Sequence, residues 1–304
     1  EPHGARDGPS VRRSPWNVIP QSNIPRSSLV SRPQQMAPDD AGAVRIERNP
    51  KGFATLWLGS EPVNSMTLDL WKSLLDALTT LEKDPSTRGV VFASALRKDI
   101  FTAGNDIKEL HAKSTSESRY REFWRTQTTF LCRLLRSPLA TVCAIRGACP
   151  AGGCAVALCC DYRIQSESGT FGLNEVALGI PVPKFWAQRF VACSNDPAKA
   201  DLTLQLGKLL TPGEAKTLGL LDEVVPAAAL MPAATRAMEN FLKTPDGARH
   251  ATKVNVRGEF SAAWEAYIEE EASGGWAMLS TPEVEATLGK VIERLSGNKR
   301  RAKL

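Results

Sequence analysis

Apolar stretches of strand length alternate with runs of helical period through most of this 304-residue chain, and that alternation limits the folds open to it more than any other feature. Ala43–Arg48 and Phe53–Leu58 flank an Asn49-Pro-Lys-Gly52 turn and read as a hairpin. Thr67 then has the character of a helix N-cap. It is followed by Leu68, Trp71, Leu74, Leu75, Leu78 and Leu81 at helical spacing, and the apolar run Arg88–Ala93 after Pro85 reads as a buried strand. The order repeats: a helix over Ser116–Arg136, a strand over Leu139–Ile145, a helix from about Ala151 and a strand over Asp161–Gln165. Such alternation predicts an α/β fold with right-handed crossovers. From Lys184 the pattern turns mostly helical, with one short strand at Asp222–Val225 and two long helical stretches, Glu259–Ala272 and Pro282–Leu295. No period recurs, which excludes a solenoid. The expected organisation is a tail over 1–40, a core over 41–240 and a helical C-terminal region with a basic end over 241–304.

Charge excludes one class of function. The formal net charge is +5, but residues 1–40 carry five Arg against four acids and residues 299–303 carry four more cations, so the body between them is neutral. A nucleic-acid-binding face would place its positive charge on the folded domain, so no nucleic-acid partner is expected. No membrane partner is expected either, because no run reaches the roughly 18 apolar residues of a spanning helix. The most apolar window, Ala148–Cys160, is broken by Pro150, Gly152 and Gly153.

Seven cysteines, two of them adjacent at Cys159-Cys160, do not resemble a secreted disulfide framework, and a reducing compartment is expected. There is no CxxC pair and no His between Lys113 and Arg249, so no zinc site is expected. Residues 1–40 hold seven of the twenty prolines and no acid from Gly8 to Pro38. That composition predicts a disordered tail. Its Arg/Ser richness resembles an organelle transit peptide, although the prolines forbid a continuous amphipathic helix. Met36 would serve as an alternative start.

Two glycine-bearing junctions lead from a strand into a helix: Phe101–Leu110 and Arg146–Ala155. Glycine lets backbone approach a ligand closely, and a helix start leaves N–H groups unpaired. Two such groups converging would make an oxyanion hole. Taken singly, each junction is equally compatible with a structural turn. Neither contains GxGxxG or GxxxxGK[ST], and there is no GxSxG elbow. The histidines, His3, His111 and His250, lie away from both junctions, so a carboxylate is the favoured acid/base group. Glu175 is the candidate, because it sits among apolar residues upstream of Pro181, Phe185 and Trp186. Desolvation there would raise its pKa into a general-base range. A helix cap or an Arg partner would be the structural explanation of the same residue.

The strings FTAGNDIKEL (101–110), RGACPAGGCAVALCCDYRI (146–164) and FGLNEVALGIP (171–181), in this order, resemble the crotonase, or enoyl-CoA hydratase/isomerase, superfamily from about Ala43 to the C-terminus. Within it they look most like the mitochondrial-type Δ3,Δ2-enoyl-CoA isomerases. The resemblance implies a spiral of ββα units with a helical C-terminal region, assembled as a trimer or dimer of trimers. It also implies an acyl-CoA substrate whose thioester oxygen lies between the backbone N–H groups of Asn105 and Gly152, so side-chain identity at Asn105 should matter little. No metal or redox cofactor is implied. Hydratases of the family carry two catalytic glutamates; the second matches Glu175 and the first falls at Ala155. A single carboxylate suffices to move a double bond, whereas hydration uses a partner acid, so the resemblance points to 3-enoyl-CoA isomerisation in fatty-acid β-oxidation. Ala155 is then expected to face the same cavity as Glu175.

Substrate contacts are expected from Ala103 and Gly104 and from Phe185 and Trp186 as walls of the acyl pocket, with Lys108 toward the CoA phosphates. Core packing for the aromatics and a solvated helix start for Lys108 are the structural alternatives. Arg163 and Arg189 are expected in structural pairs. Alternative activities are hydration or another crotonase acyl-CoA reaction. A homologue that binds RNA through a lysine-rich helix is disfavoured, since the helix from Thr67 to Asp84 offers only Lys72 and Lys83. The C-terminal Ala302-Lys303-Leu304 resembles a Ser-Lys-Leu peroxisomal address, with the mitochondrion as the alternative.

Overall fold

The computed structural model describes residues 43–301, with side chains through Ser296. The expected tail over 1–40 and the C-terminal Ala302-Lys303-Leu304 lie outside the described residues.

Strands β1 (Val44–Asn49), β2 (Phe53–Leu58), β3 (Gly89–Ser94), β4 (Ala140–Ile145), β6 (Tyr162–Ser166) and β8 (Glu223–Val225) form one sheet in the order β1-β2-β3-β4-β6-β8. Only the β1–β2 hairpin is antiparallel. Two short strands, β5 (Cys149–Pro150) and β7 (Phe171–Gly172), pair in parallel beside the sheet. Helices α1 (Leu68–Lys83), α2 (Ile107–Leu110), α3 (Glu117–Leu135) and α4 (Gly152–Cys159) link the strands. Then come α5 (Lys184–Cys193), α6 (Pro197–Gln205), α7 (Pro212–Thr217), α8 (Leu230–Leu242), α9 (Asp246–Ala266), α10 (Ile268–Leu279) and α11 (Pro282–Arg301).

Every residue of β3 and β4 is buried, as central parallel strands covered on both faces must be. Alternate side chains divide between two cores. Phe53, Val91, Val142 and Ile164 meet Leu230, Ala234 and Met238 of α8. Leu56, Val90, Phe92 and Cys143 face the larger core built with α1, α3 and α4.

Helix α1 starts where expected. The Thr67 side chain accepts from the Leu70 N–H at 3.3 Å, and Asp69 sits in the first turn, where the helix dipole favours it. Its apolar stripe buries Leu70, Trp71, Leu74, Leu78 and Leu81. Truncating Trp71, which is wholly buried against Phe130, would cost about 3–5 kcal/mol.

The expected helical stretch over 259–272 is divided. Helix α9 begins earlier, at Asp246, and ends before Tyr267, whose ring leaves the helix line to meet Phe185 at 5.7 Å and the Lys184 Nζ at 4.5 Å. Beyond it α10 continues along α3, where Glu269 pairs with Arg125 and Glu271 accepts from Trp124. At the base of α9, Lys253 and Arg257 hold the buried Asp161 at 2.7 and 2.8 Å. Desolvation lowers the Lys253 pKa against the opposing pull of Asp161.

Candidate active site

The two glycine-bearing junctions meet. Gly104 has φ +83°, a conformation that side chains other than glycine rarely adopt, and a Cβ there would lie 3.0 Å from the Ala151 Cβ. A Cβ on Gly152 would lie 2.7 Å from the Asn105 Oδ1, and one on Gly153 would lie 2.2 Å from Thr102 Cγ2. The glycines are therefore what allows α4 to start against the 101–106 segment.

Asn64, buried at φ 51°, builds the other side of that segment: its amide donates to the carbonyls of Leu58 and Phe101 and to Ser94 Oγ. Nothing in the sequence pattern singled out Asn64. Ala151, just before α4, also has a positive φ of 49°, a strained backbone next to the cavity it lines.

Two backbone donors are left over at this meeting point. The bridge between Met66 and Asn105 uses the Gly104 carbonyl and the Asp106 N–H, at 2.9 and 3.1 Å, and so passes over the Asn105 N–H. Gly152 is the first residue of α4, and its N–H has no intrahelical partner. Neither group has a hydrogen-bond partner among the described residues.

The Asn105 side chain is not free, contrary to the expectation that its identity matters little. Its Oδ1 accepts from Trp71 Nε1 at 3.2 Å and its Nδ2 donates to Gln127 Oε1 at 3.0 Å. The amide ties the loop to α1 and α3.

Glu175 opens a short 3-10 turn, Glu175–Leu178, that follows β7. It is 5% exposed, and neither carboxylate oxygen has a hydrogen-bond partner. The structural alternatives, a cap or an arginine pair, are absent from the described residues. Burial pushes its pKa from 4.5 to about 7, opposed by its own backbone N–H. Such a group binds and releases a proton near neutrality.

Glu175 lines a cavity of about 910 Å³ together with Ala103, Asn105, Lys108 and Trp186. Lys108 is exposed and makes no ion pair among the described residues.

Phe185 is a correction. Its ring stacks on Trp264 at 5.7 Å and 4° and abuts Phe260, so it belongs to the packing between α5 and α9 and is not on the cavity wall. Adjacent helix positions point in different directions, and only Trp186 faces inward.

Ala155 is a second correction. It is buried in the core and is not on the cavity wall. Its α4 neighbour Cys154 is the residue that feels the Glu175 charge, which adds to burial in raising the thiol pKa.

The roof was not legible in the sequence. Tyr267, Glu271, Gly274 and Met278 come from the α9–α10 region, and Ile292 and Leu295 from α11. Helix α11 packs on the Glu175 turn, where Thr287 meets Gly179, and on α2, where Gly289 meets His111. Glu271 is a second carboxylate in the cavity. It accepts from Trp124 Nε1 at 3.1 Å and from the Lys184 N–H, while burial pushes its pKa up. The Gly274-Gly275 pair inside a helical pattern is the one signal that could have marked α10.

Residues 51–297 match the family model described as enoyl-CoA hydratase/isomerase. The chain belongs to that family. It is 35% identical over 262 residues to the human protein named enoyl-CoA delta isomerase 1, mitochondrial, covering 86% of this chain and 83% of that one. A putative enoyl-CoA hydratase of Thermus thermophilus is 32% identical over 192 residues, 62% of this chain and 74% of that one. The crystal structure of human mitochondrial delta3-delta2-enoyl-CoA isomerase superposes with a TM-score of 0.81 at 34% identity, covering 85% of this chain and all of the other.

The crotonase fold is thus the one observed here, a mainly parallel sheet with a helical C-terminal region. In this member of the family Arg163 and Arg189 serve the scaffold. Arg163 pairs with Asp222 at 2.9 Å, and Arg189 donates to the Leu158 carbonyl at the end of α4. Lys72 pairs with Glu122 at 2.6 Å. All seven cysteines are unpaired thiols, six of them buried.

Proposed function

We propose that this protein is a Δ3,Δ2-enoyl-CoA isomerase of fatty-acid β-oxidation. The observation that carries the reading is Glu175, a buried carboxylate without partners that titrates near neutrality, in one cavity with a loop whose backbone donors are unspent.

In the proposed reaction the Glu175 carboxylate takes a proton from C2 of a 3-enoyl thioester. The C–H electron pair moves to the thioester, and the N–H groups of Asn105 and Gly152 stabilise the enolate oxygen. The enolate then collapses, C2=C3 forms, and the former C3=C4 pair takes the proton back from Glu175 at C4. No atom is gained or lost, and Glu175 returns to its starting state. Loss of one oxyanion donor costs about 2.7–4 kcal/mol of barrier in enzymes that use such sites. Trp186, with the aromatic wall beside it, keeps water from the enolate, and Ala103 on the cavity wall lets the thioester approach the loop, while Gly104, buried and off that wall, gives the loop its turn and makes no substrate contact. Lys108 is placed to meet CoA phosphate. The chemistry needs neither metal nor redox cofactor.

The test is to supply the protein with a 3-enoyl-CoA and follow the ultraviolet absorbance of the conjugated 2-enoyl thioester, with hydration of 2-enoyl-CoA measured in parallel. Rapid isomerisation with slow hydration is expected. One observation favours hydration as a second reading: Glu271 could act as the partner carboxylate. Its oxygens already accept from Trp124 and Lys184, which makes it the less available group.

The family resemblance supports assembly as a trimer or dimer of trimers. For location, the names of the human relative and of its counterparts support the mitochondrion, whereas Ala302-Lys303-Leu304 supports the peroxisome. A reporter carrying only the last ten residues would reach peroxisomes if that address is read, and would stay cytosolic if it is not.

A further inference from the structure

The loop that carries the Asn105 N–H is held by the Asn105 side chain as well as by its backbone, and two residues that do not reach the cavity make that hold. Asn105 lines the cavity, whereas Trp71 on α1 and Gln127 on α3 are wholly buried and are not on its wall. Trp71 Nε1 donates to Asn105 Oδ1 at 3.2 Å, and Asn105 Nδ2 donates to Gln127 Oε1 at 3.0 Å. An indole nitrogen can only donate, so the oxygen of the Asn105 amide must face Trp71 and its nitrogen must face Gln127. One orientation of the side chain is imposed from both ends.

That orientation matters because of where Oδ1 lies. A Cβ added to Gly152 would come 2.7 Å from it, so this oxygen sits against the residue whose N–H is the second unspent donor. A carbonyl oxygen left without a partner there would repel an anion bound between Asn105 and Gly152, and would take the Gly152 N–H that the anion needs. The Trp71 donor occupies it instead. On the other side, Gln127 Nε2 is buried and has no partner among the described residues. Stability alone does not account for a glutamine that leaves a donor orphaned in the core. Holding Asn105 does.

We propose that Trp71 and Gln127 are positioning residues for the oxyanion hole: together they lock the Asn105 amide, so that its oxygen is kept off the Gly152 N–H and both backbone donors stay aimed into the cavity. The proposal rests on the reading of those two N–H groups as oxyanion donors, but not on which acyl-CoA reaction they serve.

The test compares wild type with Gln127→Met, which keeps the side-chain length and removes the acceptor, with Trp71→Phe, which removes the donor and keeps a ring against Phe130, and with the double variant. Each single variant should lose at least about tenfold in kcat for 3-enoyl-CoA, with KM within about twofold. That is less than the roughly 100- to 1,000-fold of a donor lost outright, because the N–H groups are displaced and not removed. Gln127→Met exchanges one orphaned donor for another and should melt as wild type does. Both residues act through one amide, so the double variant should lose no more than about threefold beyond the poorer single variant. The infrared carbonyl band of bound butanoyl-CoA, a saturated thioester that cannot isomerise, reads the hole directly. It should lie at lower frequency than in water for wild type and move back toward the water value in both variants.

Normal kcat in Gln127→Met, a rise in KM at constant kcat, losses that multiply in the double variant, or a rate loss with an unmoved carbonyl band would each overturn the positioning role. So would a Gln127→Met that melts far below wild type, which would make the role structural. A carbonyl band that responds as expected in a protein that turns over no 3-enoyl-CoA would refute the isomerase and leave the inference standing. A wild-type band at its position in water would overturn the donor pair and the inference together.

Discussion

Replacing Glu175 by glutamine tests the mechanism and the physical basis of the site together. The carboxyl is buried, both oxygens are unpartnered, and its pKa is raised from 4.5 to about 7. An unfolded chain titrates this group near 4.5. Between these values the folded protein therefore holds a proton that the unfolded chain has lost. Because the folded pKa is the higher one, the full stability is present below pH 4.5 and is lost as pH rises through 7. Each unit corresponds to about 1.4 kcal/mol, so wild type gives up about 3 kcal/mol by pH 8. Glutamine does not titrate and gives up none of it. About 2.5 kcal/mol of this is lost between pH 5 and pH 8, so at roughly 2–4 °C per kcal/mol the melting temperature of Glu175→Gln relative to wild type should rise by about 5–10 °C over that interval. All other titrating groups are common to both proteins and cancel in that difference. Turnover of 3-enoyl-CoA should fall about 100- to 10,000-fold in the same variant. A melting difference that stays constant with pH would refute the claim that the carboxyl is desolvated. Near-normal turnover would remove it from the chemistry.

Other outcomes follow from the same geometry. Wild-type kcat/KM should rise about tenfold per pH unit below 7 and level off above it, because the base must be ionised; a profile falling through 7 would make Glu175 an acid instead. Asn105→Ala keeps the backbone N–H but strands Trp71 Nε1 and Gln127, so denaturant unfolding should show a loss of about 1–3 kcal/mol, and an unchanged midpoint would contradict the amide network. Asp161→Asn leaves the buried Lys253 and the half-buried Arg257 without their carboxylate and should cost about 3–5 kcal/mol, with Lys253→Met in the same background recovering part of it. Ala155→Glu places a carboxylate in the core, so its melting temperature should fall without a large gain in hydration; efficient hydration at an unchanged melting temperature would show that residue 155 reaches the cavity.

The meeting of the two glycine-bearing junctions shows where reading from sequence succeeds. Gly104, Gly152 and Gly153 mark it because close backbone approach is a local demand that few residue types meet. Phe185 shows the opposite case. Composition cannot say which of two neighbouring aromatics faces a cavity and which faces α9, since that depends on how α5 is rotated against a helix some seventy residues away in the chain.

The alternation of strand and helix in the core, the N-cap at Thr67 and the junction glycines were determined by the sequence alone, because each rests on a short-range rule of period, capping or residue chemistry; that Glu175 has neither a cap role nor an arginine partner was decided by the structure. The roof was decided only by tertiary structure. Helices α9 and α10 run on along α3, which brings Glu271 and Gly274 to the cavity that Glu175 lines. The buried grip of Lys253 and Arg257 on Asp161 pins α9 at the end of β4. None of these partners is near the other in sequence, and burial, which raises the Glu175 pKa, is a property of everything packed around the residue rather than of the residues beside it in the chain.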